Sequence, residues 1–429
     1  MKFLVGLVIT GLLIAACGND DDSSGDGATD ATEAPQTTAG ESSDTTAEAA
    51  SGDPIRIGAV LSVTGPASTL GDQEAKALEL RAEQINEAGG IEGRPIELQI
   101  EDDESSPDRA VEVTRSLLSD FEPHAIVGGS VTATCYAMKP VTEEAEIVQF
   151  CLSGAPVPPD HPFYFSAMSQ QHRWLGDLPL HWMEEQGYES VACLATDDAS
   201  GQQYIQTVEG AAAGAGLEAG GTEVYGVQDV DVSAQLTSIR GNNPDIVYSC
   251  TSGKPVVPAL QGAQQVGLDV PFWLGSGSAS LDVAGLIKDL LPEAGVFTGG
   301  EKIQVYEQLP DNDPQKEAIT EFAMAYEEAH GKRPDLFAAA AVDALDMLSQ
   351  SIAALGGDPA GSDLATYMED EVDHTGLQLI YDFDAENHRS QFLSGIVLKF
   401  TAEGGFELVE QYDDAEVPTF CADSGQCPS

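Results

Sequence analysis

The sequence predicts an α/β protein built from two Rossmann-like lobes, on three observations. Residues 55–104 read as strand, helix and strand; the alternation then recurs in two successive series; and the second series restarts after Phe163–Arg173 without continuing the first sheet. The strand ends of the two lobes should then face each other across a ligand cleft.

Ile55, Ile57, Val60 and Leu61 form a short apolar run closed by Gly65-Pro66, the pattern of a strand buried on both faces of a parallel sheet. From Gln73 to Ala88 the period changes: Ala75, Leu78, Ala82 and Ile85 recur at helical spacing, and Gly89-Gly90 supplies a left-handed exit. Pro95–Glu101 alternates Ile96, Leu98 and Ile100 against Glu97, Gln99 and Glu101, a second strand reached by a right-handed crossover. The loop Ser62–Gly71 leaves the first strand at its carboxyl edge, where open α/β sheets bind ligands.

Pro107 opens a helix through Leu118, and Ala125–Val127 is a strand ending in Gly128-Gly129. The polar loop Ser130–Cys135, a helix toward Ala145, the strand Ile147–Cys151 and the loop Leu152–Pro156 follow, so three loops should converge on one crevice. In the second series, helices are expected at Trp174–Gln186, Thr207–Ala215, Ser233–Ile239 and Val256–Val266, and strands at Val191–Ala195, Glu223–Gly226, Ile246–Cys250 and Pro271–Leu274. Asp313-Pro314 caps a helix stopped by Gly331, and Pro334 opens another ending at Gly356-Gly357. Gln391–Phe400 and Phe406–Val409 read as a terminal hairpin.

The chain starts Met1-Lys2 and stays apolar from Phe3 to Ala16, too short for a bilayer-spanning helix but suited to a signal peptide. Gly18–Ser51 lacks any aromatic or basic residue and cannot bury enough surface to offset its ordering entropy, which predicts a disordered acidic tether. With 18 Lys+Arg against 72 Asp+Glu the formal charge is −54, or −55 once Lys2 leaves with the signal. So acidic a chain makes nucleic acid an improbable partner. It also resembles the surface of proteins from saline habitats.

Of the seven cysteines, Cys421 and Cys427 flank a short tail and are expected to pair. Cys135 and Cys151 lie near the cleft edge and form a second plausible bridge, while Cys193 and Cys250 are either a bridge or two buried thiols. No CxxC or paired histidines at ligand spacing occur, so no metal and no cofactor is expected. The loop Gly275-Ser276-Gly277-Ser278 has neither the lysine of a phosphate cradle nor the spacing of a nucleophile elbow and reads as a flexible cleft loop. His161, His172 and His181 fit no triad; they read as surface or lobe-junction residues, with His172 the one placed to reach a ligand. Asp102-Asp103-Glu104 reads as a solvated or turn-forming run.

The opening strand, the Thr64-Gly65-Pro66 loop, the Gly71-Asp72-Gln73-Glu74 helix start and the Ala88-Gly89-Gly90-Ile91 turn resemble the start of the leucine/isoleucine/valine-binding proteins. These are type I solute-binding proteins of bacterial ABC importers, and the likeness continues in element order through most of residues 54–410. It implies the type I periplasmic binding protein fold with a three-segment hinge, no enzymatic activity, and ABC permease subunits of the inner membrane as partners. Leu13-Ile14-Ala15-Ala16-Cys17 resembles a lipobox, which implies lipidation of Cys17 and a location outside the cytoplasm, held to the membrane by the lipid alone.

The organisation that follows is a signal at 1–16, a tether at 17–52, a first lobe of 53–171 plus 302–385, a second lobe of 172–301 plus 386–415, and a tail at 416–429. Carried over by resemblance, Leu70, Thr132, Ser153, Gly154 and Ala155 would line the first wall. On the second wall the family's acidic partner for an ammonium group would fall at Ser276 or Gly277, its covering aromatics at Ser200 and Ser252, and a further carboxylate at Gln171. None of these is acidic or aromatic, which raises amides, urea and small organic acids against amino acids as solutes, with Asp197 and Asp198 as substitute counter-charges. A ligand sensor of the same fold and an extracellular hydrolase are the competing functions.

Overall fold

The computed structural model describes residues 51–154, 157, 160–168, 173–390 and 395–421. The expected signal, the tether up to residue 50, Cys17, Ala155, Gln171, His172 and Cys427 lie outside them.

The run Ile55–Leu61 forms strand β1, and Ile55, Ile57, Ala59, Val60 and Leu61 have no exposed surface. Burial on both faces follows from its place inside a five-stranded parallel sheet ordered β2-β1-β3-β4-β5, with β2 at Ile96–Asp102, β3 at Ala125–Gly128, β4 at Val148–Cys151 and β5 at Tyr164–Ser166. Helices α1 (Ser68–Glu87), α2 (Pro107–Ser116) and α3 (Thr132–Glu144) connect these strands. Helix α1 stops as its glycines predict: Gly89 and Gly90 sit at φ 108° and 72°, and the Gly90 N–H donates to Ile85 O.

The chain passes through a π-helical turn, Arg173–Asp177, and α4 (Leu178–Glu185) into a second sheet. There, β6 (Ser190–Thr196), β7 (Glu218–Tyr225), β8 (Ile246–Cys250), β9 (Phe272–Leu274) and β10 (Val296–Gly300) are parallel. Helices α5 (Ala199–Ala211), α6 (Ser233–Asn242), α7 (Val256–Val266) and α8 (Leu281–Ile287) link them. After β10 the chain returns to the first lobe through α9 (Lys316–His330), α10 (Leu336–Ala354) and α11 (Gly361–Glu371). Helix α10 lies along α1, and the Arg81 guanidinium clamps Asp346 across that contact at 2.7 and 3.0 Å.

A small hairpin, β11 (Asp373–Thr375) and β12 (Ile380–Asp382), precedes the last crossing. Strand β13 (Gly395–Phe400) then adds antiparallel to β10 and β14 (Phe406–Tyr412) antiparallel to β13, completing the order β14-β13-β10-β9-β8-β6-β7. The chain thus crosses from the first sheet to the second, returns to helices α10 and α11, which pack on β3 and β4 of the first, and crosses again to the second.

Several boundaries differ from the sequence reading. Helix α5 begins at Ala199 rather than Thr207, because the Asp198 side chain accepts from Gly201 N–H at 2.8 Å and starts it early. Strand β7 extends back to Glu218 across Gly220-Gly221, two residues that hide its alternation. Helix α10 is opened by Asp335, which accepts from the N–H groups of Phe337 and Ala338, rather than by Pro334. The run Asp102–Glu104 forms a turn, Asp102 accepting from Glu104 N–H and Asp103 from Ser105 N–H, both at 2.8 Å, but Asp103 is buried rather than solvated and also accepts from Ser62 Oγ at 2.7 Å. Cys135–Cys151 and Cys193–Cys250 are bonded pairs, and Cys421 is also disulfide-bonded.

Candidate functional site

A cavity of about 190 Å³ opens where the carboxyl ends of the parallel strands meet. Gly154 follows β4; Ser252, Ser276 and Glu301 follow β8, β9 and β10; all four border it, so both sheets contribute their carboxyl edges. The connections between the sheets add Met168, Trp174 and Leu175 on one side and Leu336, Phe337 and Gln378 on the other.

The second-lobe wall is a hydroxyl cluster. Ser200, in the first turn of α5, and Ser252 approach to 3.2 Å, and the fully sunk Tyr204 hydroxyl is held by the Ser252 and Ser276 side chains and the Gly277 backbone. Burial pushes the Tyr204 phenol up, so it stays a neutral donor and acceptor. The glycines of the loop after β9 are sterically required. A Cβ on Gly275 would lie 2.2 Å from Tyr204 Oη, and one on Gly277 would lie 2.5 Å from Ser252 Oγ. That loop reads from sequence as flexible; here it is the close backbone approach that lets the hydroxyls meet.

Ser200, Ser252, Ser276 and Gly154 therefore border the cavity, and the other described candidates do not. Thr132 is exposed at the start of α3. The Ser153 hydroxyl packs on the Cys135 and Cys151 sulfurs at 3.4 and 3.3 Å, and Leu70 is half-buried on α1. The loops after β1 and β3 close instead on a carboxyl cluster of their own. Ser130 Oγ donates to Glu74 and its oxygen accepts from Ser62 N–H at 2.9 Å, beside Asp103. Of the histidines, His161 lies 3.6 Å from both Glu143 and Asp160, and His181 packs edge-on to Tyr412.

No acid stands at Ser276 or Gly277, but one borders the cavity one strand further on. Glu301, the residue after β10, is 4 % exposed and borders the cavity. Its Oε1 accepts from Gln378 Nε2 at 3.4 Å, while Glu301 Oε2 and Gln378 Oε1 have no hydrogen-bond partner among the described residues. Burial, above all, holds the Glu301 carboxyl well above the ordinary carboxylate range; the Gln378 hydrogen bond opposes this, the Asp343 charge adds to it, and Lys302 opposes it. The Lys302 ammonium is spent on Asp313 at 2.8 Å.

Gln378 is positioned from behind by Asp343 of α10, which accepts from the N–H groups of Leu377 and Gln378 at 2.5 and 2.8 Å. Gly376 is needed there, since a Cβ would lie 2.4 Å from the Asp343 carboxyl. Burial, opposed by these hydrogen bonds, raises Asp343 to about 7. Neither Glu301 nor Gln378 was named from sequence, because β10 is a short run without clear alternation. Gly299-Gly300 directly before an acidic residue was the available signal.

Two lobes whose strand ends share a cavity lined by hydroxyls, apolar side chains and one carboxyl define a small-solute binding protein. The chain belongs to the periplasmic binding protein family, whose model matches residues 54–392. It is 24 % identical over 302 residues to Leu/Ile/Val-binding protein homolog 8 of Brucella abortus, spanning 65 % of this chain and 71 % of that one. An extracellular ligand-binding receptor from Rhodopseudomonas palustris superposes with a TM-score of 0.72 at 24 % identity, over 83 % of this chain and all of the other. The branched-chain amino acid transporter substrate binding protein LivJ from Streptococcus pneumoniae, solved in complex with isoleucine, gives 0.69 at 20 % identity over 84 % of this chain and all of that one. The family is one of extracytoplasmic solute-binding proteins rather than enzymes.

Proposed function

We propose that the protein is the substrate-binding component of an ABC importer, held outside the cell membrane by a lipid on Cys17 and a flexible acidic tether. It captures a small polar organic solute by lobe closure and delivers it to permease subunits. The observation that carries this reading is the cavity bordered by strand ends of both sheets, since a solute touching both walls favours the closed arrangement. On this reading the lobes are 53–171 with 302–385 and 172–301 with 386–415. Amino acids, amides, urea and small organic acids are the solutes to compare.

The test is a thermal-shift and calorimetric screen of these solutes on residues 53–429. A specific solute at a hundred times its Kd should add about 2.7 kcal/mol to stability. It should also reduce the radius of gyration in solution scattering. Binding without compaction would sink the closure mechanism. Metabolic labelling with a fatty acid, lost in Cys17→Ser, tests the anchor.

A further inference from the structure

Resting on that reading of the cleft, we propose that the segment after β14, Asp414–Cys421, sets one wall of the binding cavity. It does so through Arg173 and Asp177, which act as positioning residues for Trp174 and Leu175.

The π-helical turn Arg173–Asp177 serves two different neighbours. Its middle residues Trp174 and Leu175 border the cavity, whereas the charged residues at its two ends bind the segment after β14. Arg173, 5 % exposed, donates from Nη1 to Asp177 Oδ2 at 3.0 Å and to Pro418 O at 2.9 Å. From Nη2 it donates to Asp414 Oδ1 at 2.9 Å, Val417 O at 3.1 Å and Asp414 O at 3.3 Å. Asp177 closes the circuit, its Oδ1 accepting from Cys421 N–H at 3.0 Å. One planar fork thus meets acceptors on three residues of the segment and one of its own turn, which a lysine ammonium cannot reproduce.

Packing holds the turn from both sides. A Cβ on Gly176 would lie 2.7 Å from Thr207 Cγ2 and 2.8 Å from Cys421 Sγ, so the back of the turn rests directly on helix α5 and the segment. Val417, Phe420 and Cys421 are buried in the same apolar core as Trp174 and Leu175. Toward the second sheet, Leu175 O accepts from Tyr248 Oη at 2.9 Å, and a Cβ on Gly299 of β10 would come within 3.3 Å of the Trp174 ring.

Apolar packing alone is non-directional and leaves the rotation of a short turn loosely set. A charged fork with fixed N–H directions sets it, and that rotation decides whether the indole and Leu175 face the solute. A buried guanidinium is costly unless its N–H groups are paired, so the segment and the turn depend on each other. Widened helical turns of this kind are rare and recur at functional sites.

The experiment labels the full chain with fluorotryptophan. Its three tryptophans give three fluorine resonances, and Trp174→Phe identifies the one at the turn. Leucine, isoleucine, isobutyramide and isobutyrate are titrated by calorimetry. R173K and D414A should each shift the Trp174 resonance more than those of Trp182 and Trp273, and should weaken solute binding about tenfold. D414N, which keeps an acceptor oxygen for Arg173, should recover both readouts. I239A, in the separate apolar cluster of the second lobe, controls for lost stability: it should lower the melting temperature and leave affinity and the Trp174 resonance unchanged. An unmoved Trp174 resonance in R173K and D414A, an unchanged affinity in both, or an affinity that falls equally in I239A overturns the inference and leaves solute capture standing. Absence of binding by every solute overturns both.

Discussion

Tyr204 carries its hydroxyl into the second-lobe wall only because Gly275 and Gly277 make room for it and for Ser252. Replacing Gly277 by alanine should push the loop away from Ser252 and weaken solute binding about tenfold or more, read by calorimetry. Tyr204→Phe leaves the space filled but strips a hydrogen-bonded hydroxyl from the interior. The expected cost is about 1 kcal/mol, seen as a lower denaturant midpoint with unchanged slope. The serines of this wall were visible in the sequence by resemblance, but their meaning was not. Small residues at Ser200 and Ser252 read as lost aromatics, whereas the aromatic surface is supplied by Tyr204, Trp174 and Phe337 from elsewhere in the chain. Likewise, the sequence showed no acid at Ser276 or Gly277, and gave no sign that Glu301 of the adjacent strand borders the same cavity. A motif carried along the chain cannot show which neighbouring strand delivers an equivalent group.

At the scale of the element, the loops of the first sheet enclose carboxyl groups that hold protons unusually well. Burial raises Glu74 to about 8 and Asp335 to about 6, and it raises Asp103 as well. In the unfolded chain these acids ionise near pH 4. Between about pH 4 and 8 the folded state therefore binds more protons, and stability falls as pH rises. Opposing groups such as Asp72, Asp102 and Asp313 are held low and lose their contribution only as pH drops below about 4. The melting temperature should be highest near pH 5 and decline toward pH 8, and Glu74→Gln should flatten that decline. A melting temperature rising from pH 5 to 8 would contradict the assignment.

The Cys135–Cys151 bond, closing a separation of 16 residues, should contribute about 3 kcal/mol, measurable as the loss in a double serine variant. Element type was readable for apolar runs bounded by glycine or proline in β1, α1 and α7, but not for β10, whose run between Gly295 and Gly299 is too short. It failed for α11, for the β11–β12 hairpin, whose three-residue strands are too short to show a period, and for β7, whose glycines mask its alternation.

For the molecule as a whole, 72 acidic against 18 basic residues leave strong self-repulsion that ions can screen. Raising sodium chloride from 0.05 to 1 M, on the order of a tenfold or greater change in ionic strength, should raise the melting temperature steadily; a flat response would show the charges to be locally compensated.

Helix α10 has a consequence of its own for biogenesis. Its 19 residues are apolar enough by length and composition to cross a bilayer, yet in the folded protein they are mostly buried against the first lobe. A chain threaded through a translocation channel before folding exposes this segment to lipid, where it competes to lodge as a membrane anchor. Asp343 and Asp346 lie midway along it, and each opposes partition by about 2.5–3.5 kcal/mol at a bilayer centre. The carboxyl that steadies the Gln378 turn after folding should thus also oppose retention of the segment in the membrane during export. Replacing both aspartates by leucine should strand the chain in the membrane, detectable as carbonate-resistant, protease-clipped product in an export assay.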